Sequence, residues 1–311
     1  MSTRCTSPIK GYRSRDGKIT QNPKNSLLRQ QVTVSCGQCM GCRVKRSLSW
    51  AIRCVNELQL HEEACYVTFT YAPEYLPDDG SINVKHLQKF WKRLRKNLGI
   101  KFRYFACGEY GEKSGRPHYH ALIFGWRPDD MEYYSSFKGN KYYMSKVLNK
   151  NWKFGNCIIG NATFQSAAYI ARYVTKKRFG DDKEDHYSRM SNNVCSETGE
   201  VIPLTPEFVC MSTSPGLGRD WLEMYWSDVF PADNLIHEGR EYQVPKYYLD
   251  VLKERDPVMY TDLIDARKKR ANDNELVQMS EFDQYMRFVA IEKCNQAKLD
   301  LYVREPLKSD L

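Results

Sequence analysis

The chain has 311 residues, 47 Lys and Arg against 38 Asp and Glu, and a formal net charge of +9 at pH 7. That length supports a sizeable core in one large domain or two ordinary ones, and the positive balance suits a polyanionic partner. No apolar run is long enough to span a bilayer, and "MSTRCTSPIKGYRSRDG" lacks a signal-peptide core, so a soluble intracellular protein with no membrane partner is expected.

Three zones separate: a Cys-rich N-terminal module over 1–64, a central domain over 65–180 and a partly helical C-terminal region over 181–311. The first holds "CGQCMGC", with Cys36, Cys39 and Cys42 at CxxCxxC spacing. Cys5 is distant enough in sequence to return as a fourth ligand, and Cys54 is the alternative. Four thiolates suit a tetrahedral structural Zn2+. An iron–sulfur cluster also uses such spacing, but no Cys-Pro follows. Free thiols in a Gly-rich turn are the plainer alternative. "RVKRSLSWAIRCVNEL" follows as a helix, with Val44, Leu48, Ile52 and Val55 on one face and Arg43, Lys45 and Arg46 near its start. It either contacts DNA or anchors the N-terminal arm.

In the central zone "CYVTFTY" (Cys65–Tyr71) reads as a strand ended by "APEYLPDDG". A helix follows over "NVKHLQKFWKRLRKNLG", with Asn83 as N-cap and Gly99 as the terminating glycine. Val84, Leu87, Trp91, Leu94 and Leu98 mark its apolar face. Lys85, Lys89, Lys92, Arg93, Arg95 and Lys96 cover much of the rest, and no Asp or Glu occurs from Gly80 through Gly108. Such a one-signed face is either ordinary solvated surface or a phosphate contact.

"KFRYFACGEYG" and "PHYHALIFGW" then form a strand pair joined through "EKSGR". Alternate side chains of a strand share a face, so His118 and His120 point the same way. Glu109 on the neighbouring strand is the natural third ligand, and Glu112 in the turn is less suitable. Two imidazoles and a carboxylate leave positions open on a divalent ion. Alone, the His pair fits a solvated strand face equally well. "NCIIGNATF" gives another strand, and "SAAYIARYVTKKR" (Ser166–Arg178) a short helix with Ser166 as N-cap. It sets Tyr169 and Tyr173 one turn apart, with Lys176 or Lys177 beyond. The alternation indicates an α+β architecture: an antiparallel β-sheet with flanking helices, taken to lie on one face. Further on, "MSTSPGLGRDWL" reads as a loop leading into a helix.

Taken together, "YVTFTY", "PHYHALIF" and "YIARYVTKK" resemble the three motifs of the HUH endonucleases, the rolling-circle replication initiators, with Tyr119 between the two histidines. The two-tyrosine spacing and the cysteine stretch resemble the initiators of Microviridae, gokushovirus-like single-stranded DNA phages. The resemblance spans most of residues 1–220. It implies an RRM/ferredoxin-like core and a metal-dependent nicking-joining endonuclease. It further implies Mg2+ or Mn2+ held by His118, His120 and Glu109, with Tyr169 and Tyr173 as nucleophiles and Lys176 assisting. Implied partners are single-stranded and supercoiled origin DNA and the host helicase and DNA polymerase, in the host cell cytoplasm. An HUH relaxase or transposase, or a non-enzymatic zinc-containing DNA-binding protein, are the competing readings. No GxxxxGK[ST] loop of a fused helicase is present.

Overall fold

The computed structural model describes residues 4–14, 18–111, 114–173, 182–191, 194–195, 197–274 and 280–301. The chain divides into two compact units. One takes residues up to Arg46 and from Ile264 on, and the other runs from Ser47 to Leu263.

The N-terminal arm forms a small antiparallel sheet of β1 (Ile9–Ser14), β2 (Ile19–Thr20) and β3 (Ser26–Val34), in the order β2-β1-β3. The cysteine pattern had drawn attention away from these strands. Helix α1 (Met40–Leu58) starts inside the cysteine motif.

The second unit is built on β4 (Ala64–Thr70), α2 (Val84–Leu98), β5 (Arg103–Tyr110), β6 (Pro117–Phe124), β7 (Met131–Phe137), β8 (Asn140–Ser145), α3 (Lys146–Trp152), β9 (Cys157–Asn161) and α4 (Phe164–Tyr173). Then come α5 (Asp182–Arg189) and β10 (Phe208–Met211). The strands make one seven-stranded sheet, ordered β10-β5-β6-β4-β9-β8-β7, with every neighbouring pair antiparallel. The rest of the chain adds α6 (Arg219–Met224), α7 (Trp226–Val229), the hairpin β11–β12 (Asn234–His237, Arg240–Gln243), α8 (Lys246–Arg255), α9 (Pro257–Asn274) and α10 (Glu281–Leu301). Among the described residues no helix is long and apolar enough to cross a membrane.

Helices cover both faces of the large sheet, which corrects the one-face expectation. One face packs Val67, Phe69, Tyr119, Ala121 and Ile123 under α2 and α3, through Leu87, Phe90, Trp91, Leu94, Leu148 and Trp152. The other packs Tyr66, Phe105, Leu122 and Phe124 under α1 and α4, through Ala51, Cys54, Val55, Ala167, Ile170 and Ala171. The physical reason is visible in β6, where all eight residues are buried. A strand apolar on both sides needs cover on both sides.

The helix boundaries follow local chemistry. Asn83 Oδ1 accepts from the Lys85 amide at 3.0 Å, and Gly99 ends α2 in the left-handed region at φ 66. Helix α4 starts at Phe164, two residues before the expected Ser166. Thr163 caps it instead: the Ser166 amide donates to Thr163 Oγ1 and the Thr163 amide donates to Ser166 Oγ. Ser166 thus takes the third helical position of a reciprocal cap.

Glu57 ties α1 to the loop before α6. Its buried carboxylate accepts from the Gly218 amide at 2.8 Å and from His61 Nε2 at 3.0 Å, and pairs with Arg103 at 3.2 Å. Burial opposes its ionisation, but His61, the Gly218 amide and Arg103 outweigh burial and hold it below the usual carboxylate range. A depressed folded pKa contributes stability above the unfolded value of about 4.3 that is lost as pH falls through the folded value. Glu57→Gln is therefore expected to cost about 2 kcal/mol at pH 7. Denaturant unfolding at pH 7 and at pH 3.5 checks this, because the gap to the parent protein narrows in acid.

Candidate metal and tyrosine site

Three central strands build the first constellation. Register sets Glu109 of β5 opposite His118 of β6, and Thr68 of β4 opposite His120. His118 Nε2 stands 3.0 Å and His120 Nε2 2.8 Å from the same oxygen, Glu109 Oε1. All three residues are buried, and one ligand atom from each lies within 4.8 Å of the others. The two rings are nearly perpendicular, at 85°.

The far side of each ring is also held. His118 Nδ1 is 3.1 Å from the Arg116 carbonyl. A carbonyl only accepts, so Nδ1 carries the proton and Nε2 of the neutral ring presents its lone pair. His120 Nδ1 sits 2.6 Å from the Tyr66 hydroxyl and 3.0 Å from Thr68 Oγ1. Burial, then the neighbouring Tyr169, pushes the Tyr66 phenol well above its ordinary pKa, so it stays protonated. Burial opposes ionisation of Glu109, but hydrogen bonds from His118 and His120 hold it well below the usual range. Two imidazole nitrogens and one carboxylate oxygen, each oriented by an outer partner, are a donor set for a divalent ion.

Sequence reasoning missed Tyr66 and Thr68. Their alternation along β4 put them on one face, but nothing in the sequence told which strand lies beside β4.

Helix α4 brings Tyr169 to this site. Its ring meets His120 edge-on at 5.1 Å and Tyr66 at 6.4 Å. The Arg172 guanidinium lies 5.5 Å from the Tyr169 ring centre. Tyr173 is the last described residue of α4. Its side chain lies outside the described residues, as do Lys176, Lys177 and Glu112.

The second constellation lies in the other unit. One sulfur from each of Cys5, Cys36, Cys39 and Cys42 falls within 4.8 Å of the rest, and none is in a disulfide. Cys5 Sγ is 3.6 Å from Cys36 Sγ and 3.8 Å from Cys39 Sγ. Backbone amides of Gln38 and Cys39 point at Cys36 Sγ, the Cys36 amide at Cys5 Sγ and the Thr6 amide at Cys39 Sγ. Such donors favour thiolates. Burial raises the Cys39 thiol, but hydrogen bonds from Thr6 and Cys42 outweigh it and bring Cys39 down to about 6. Cys54 packs instead in the core of the large-sheet unit.

A family model of replication-associated proteins of the ORF2 type matches residues 64–178. Replication-associated protein ORF2 of Spiroplasma virus 4 is 32% identical over 85% of this chain and 81% of its own length. The chain belongs to the phage replication-associated proteins. Replication-associated protein VP4 of Bdellovibrio phage phiMH2K is 29% identical over 92% of this chain and 89% of its own. Replication-associated protein ORF4 of Chlamydia phage 1 is 31% identical over 76% of this chain, which spans 58% of that protein's length. No solved structure matches.

In this replication-associated protein the family match runs from β4 to beyond α4, so it takes in Glu109, His118, His120 and Tyr169. The cysteine cluster lies outside it and depends on a close backbone crossing. A Cβ on Gly41 stands 1.9 Å from the Arg4 carbonyl oxygen, beside Cys5. The Glu292 carboxylate accepts from Thr6 Oγ1 at 2.8 Å and from the Met40 amide at 2.9 Å on the same turn. Gly41→Ala is expected to push the arm away and take Cys5 out of the cluster. Metal analysis of the purified variant should then give well under the one equivalent expected of the parent.

Proposed function

We propose that this protein starts rolling-circle replication of a phage genome by nicking and rejoining single-stranded DNA at an origin through tyrosine. The observation that carries this reading is the Tyr169 ring, 5.1 Å from His120 and beside a buried Glu109–His118–His120 cluster. A nucleophile and a divalent-ion donor set then meet at one point, which is the minimum a phosphodiester transesterification needs. The replication-associated relatives favour an initiator over a relaxase or transposase.

Glu109, His118 and His120 would hold Mg2+ or Mn2+, and the ion supplies charge stabilisation to the scissile phosphate. The protein does the positioning. Arg116, Tyr66 and Thr68 keep the imidazoles turned toward Glu109. The tyrosine oxygen gives up its proton and attacks phosphorus. The bond from phosphorus to the 3′ oxygen breaks, the 5′ phosphate stays on tyrosine, and the departing 3′ oxygen takes up a proton and becomes a primer for host polymerase. Tyr173, one helical turn on, makes the second cleavage, and the freed 3′ hydroxyl resolves the first link. Each exchange swaps one phosphodiester for another, so joining needs no ATP. Lys176 takes the role of stabilising charge as the phosphate reacts. Origin DNA, the host helicase and the host polymerase are the partners of this reading, and the host cell is its site.

The cysteine cluster is assigned a structural Zn2+. A zinc–sulfur bond of about 2.3 Å in a tetrahedron spaces the sulfurs by roughly 3.8 Å. The Cys5 separations of 3.6 and 3.8 Å fit that single-ion geometry. Nicking requires no electron transfer, so an iron–sulfur cluster has no role in it.

Replacing both Tyr169 and Tyr173 by Phe is expected to lower Mg2+- or Mn2+-dependent nicking of origin DNA by about 10³-fold or more and to remove the covalent tyrosyl–DNA adduct seen by mass spectrometry. Undiminished nicking by that variant sinks the proposal. His118→Ala with His120→Ala should lose cleavage while keeping DNA binding, as read by a gel shift beside the nicking assay.

A further inference from the structure

The lysines of α2 form a stripe on the side of the sheet opposite the metal and tyrosine site. Lys85, Lys89, Lys92 and Lys96 are all exposed, and their spacing of four, three and four residues aligns them along one helix face. The stripe is about 16 Å long. Its underside, Leu87, Phe90, Trp91 and Leu94, packs on the face that carries Tyr119, whereas His118 and His120 belong to the other.

These charges serve no internal contact. The ion pairs among the described residues include none of the four lysines. The arginines of the same helix behave differently. Arg93 donates to the carbonyls of Asn151 and Trp152, and Arg95 donates to the Phe102 carbonyl and lies over its ring. The Arg93 contacts bring the end of α3 beside α2, and with it the exposed Lys150 and Lys153. Within the stripe, neighbouring lysines repel across single helical turns. Lys85 sits in the first turn, where the helix dipole disfavours a cation and no acidic residue offsets it. A solvated helix normally mixes both signs. This one places six lysines where only an external polyanion balances them.

The exposed positions of α2 also identify the polyanion. They are Lys85, Gln88, Lys89, Lys92, Lys96 and Asn97, without an aromatic side chain. Single-stranded nucleic acid is gripped by aromatic stacking beside its phosphates. A straight lysine row without stacking groups matches the sugar–phosphate backbone of a duplex, which carries about one charge per 1.7 Å of axis. We propose that the α2–α3 face binds the backbone of double-stranded DNA, so that duplex beside the origin is held behind the sheet while the single strand is cut in front. The cutting half of that statement rests on the proposed nicking function; the duplex contact does not.

The test replaces Lys85, Lys89, Lys92 and Lys96 by Gln. A control variant replaces Lys18, Lys24, Lys246 and Lys268, exposed elsewhere, and removes the same charge. Binding of both to a blunt duplex without origin sequence is measured across a salt series. For the stripe variant, affinity at low salt should fall about tenfold or more and the log–log salt slope should shrink by about 3. The control should change little, and nicking of a single-stranded origin oligonucleotide should be unchanged in the stripe variant. An unaltered duplex slope, or equal losses in stripe and control variants, overturns the duplex face. If the parent protein fails to nick the oligonucleotide, the nicking proposal falls while the salt slope still decides this one.

Discussion

The register of three antiparallel strands, β5, β6 and β4, is the constraint on which the site depends. Because side chains alternate, a slip of one residue sends a whole set to the opposite face. Here one slip of β6 would replace His118 and His120 with Tyr119 and Ala121 beneath α4. Glu109 would then face no imidazole, and Tyr66 and Thr68 would lose His120. The apolar side chains lock that register. Tyr119, Ala121 and Ile123 fill the core under α2 and α3, while Leu122 and Phe124 fill the core under α1 and α4. Polar geometry at one end of β6 is therefore fixed by packing along the rest of it.

Two-sided burial also sets the electrostatics. A carboxylate in such a place is stable only when hydrogen-bonded and balanced by charge. Glu109 obtains both from His118 and His120. Each imidazole is held from behind by a different partner: a backbone carbonyl for His118, two hydroxyls for His120. Rotation of either ring would break a buried hydrogen bond, so the nitrogens facing Glu109 stay where they are. The Tyr169 ring packs against this rigid group, and Ala167, Ile170 and Ala171 seat its helix closely on the sheet.

Much of this was legible in the sequence, for reasons that can be named. The period of two in "PHYHALIF" put both histidines on one face, and the short turn to "FACGEY" put Glu109 across from them. Asn83 and Gly99 bracketed α2 because capping is local chemistry. The CxxCxxC run signalled a thiolate cluster. What stayed hidden was non-local. Helices on both faces, the pairing of β4 beside β6 and the Tyr66 and Thr68 contacts to His120 depend on which strands become neighbours. The start of α4 was misplaced by two residues because Thr163 and Ser166 cap each other, and the hydroxyl nearer the apolar run was taken as the cap. The β1–β3 sheet was passed over because its strands are short and polar.

The two constellations solve different physical problems. The histidine cluster lies inside a sheet whose apolar core, large on both faces, already specifies its shape. The cysteine cluster lies in a unit with a short sheet and a backbone crossing so close that only glycine fits at Gly41. Cys5 and Cys36 are 31 positions apart, so holding their sulfurs 3.6 Å from each other closes a long loop against chain entropy. Three amide donors and a Glu292 bridge orient that closure, yet each is a single hydrogen bond of modest net worth. A tetrahedral ion supplies what such a unit lacks, because its binding energy is gained only in the closed form and so counts as folding energy. Metal in the first site therefore serves chemistry on an already formed scaffold, whereas metal in the second serves formation of the scaffold itself.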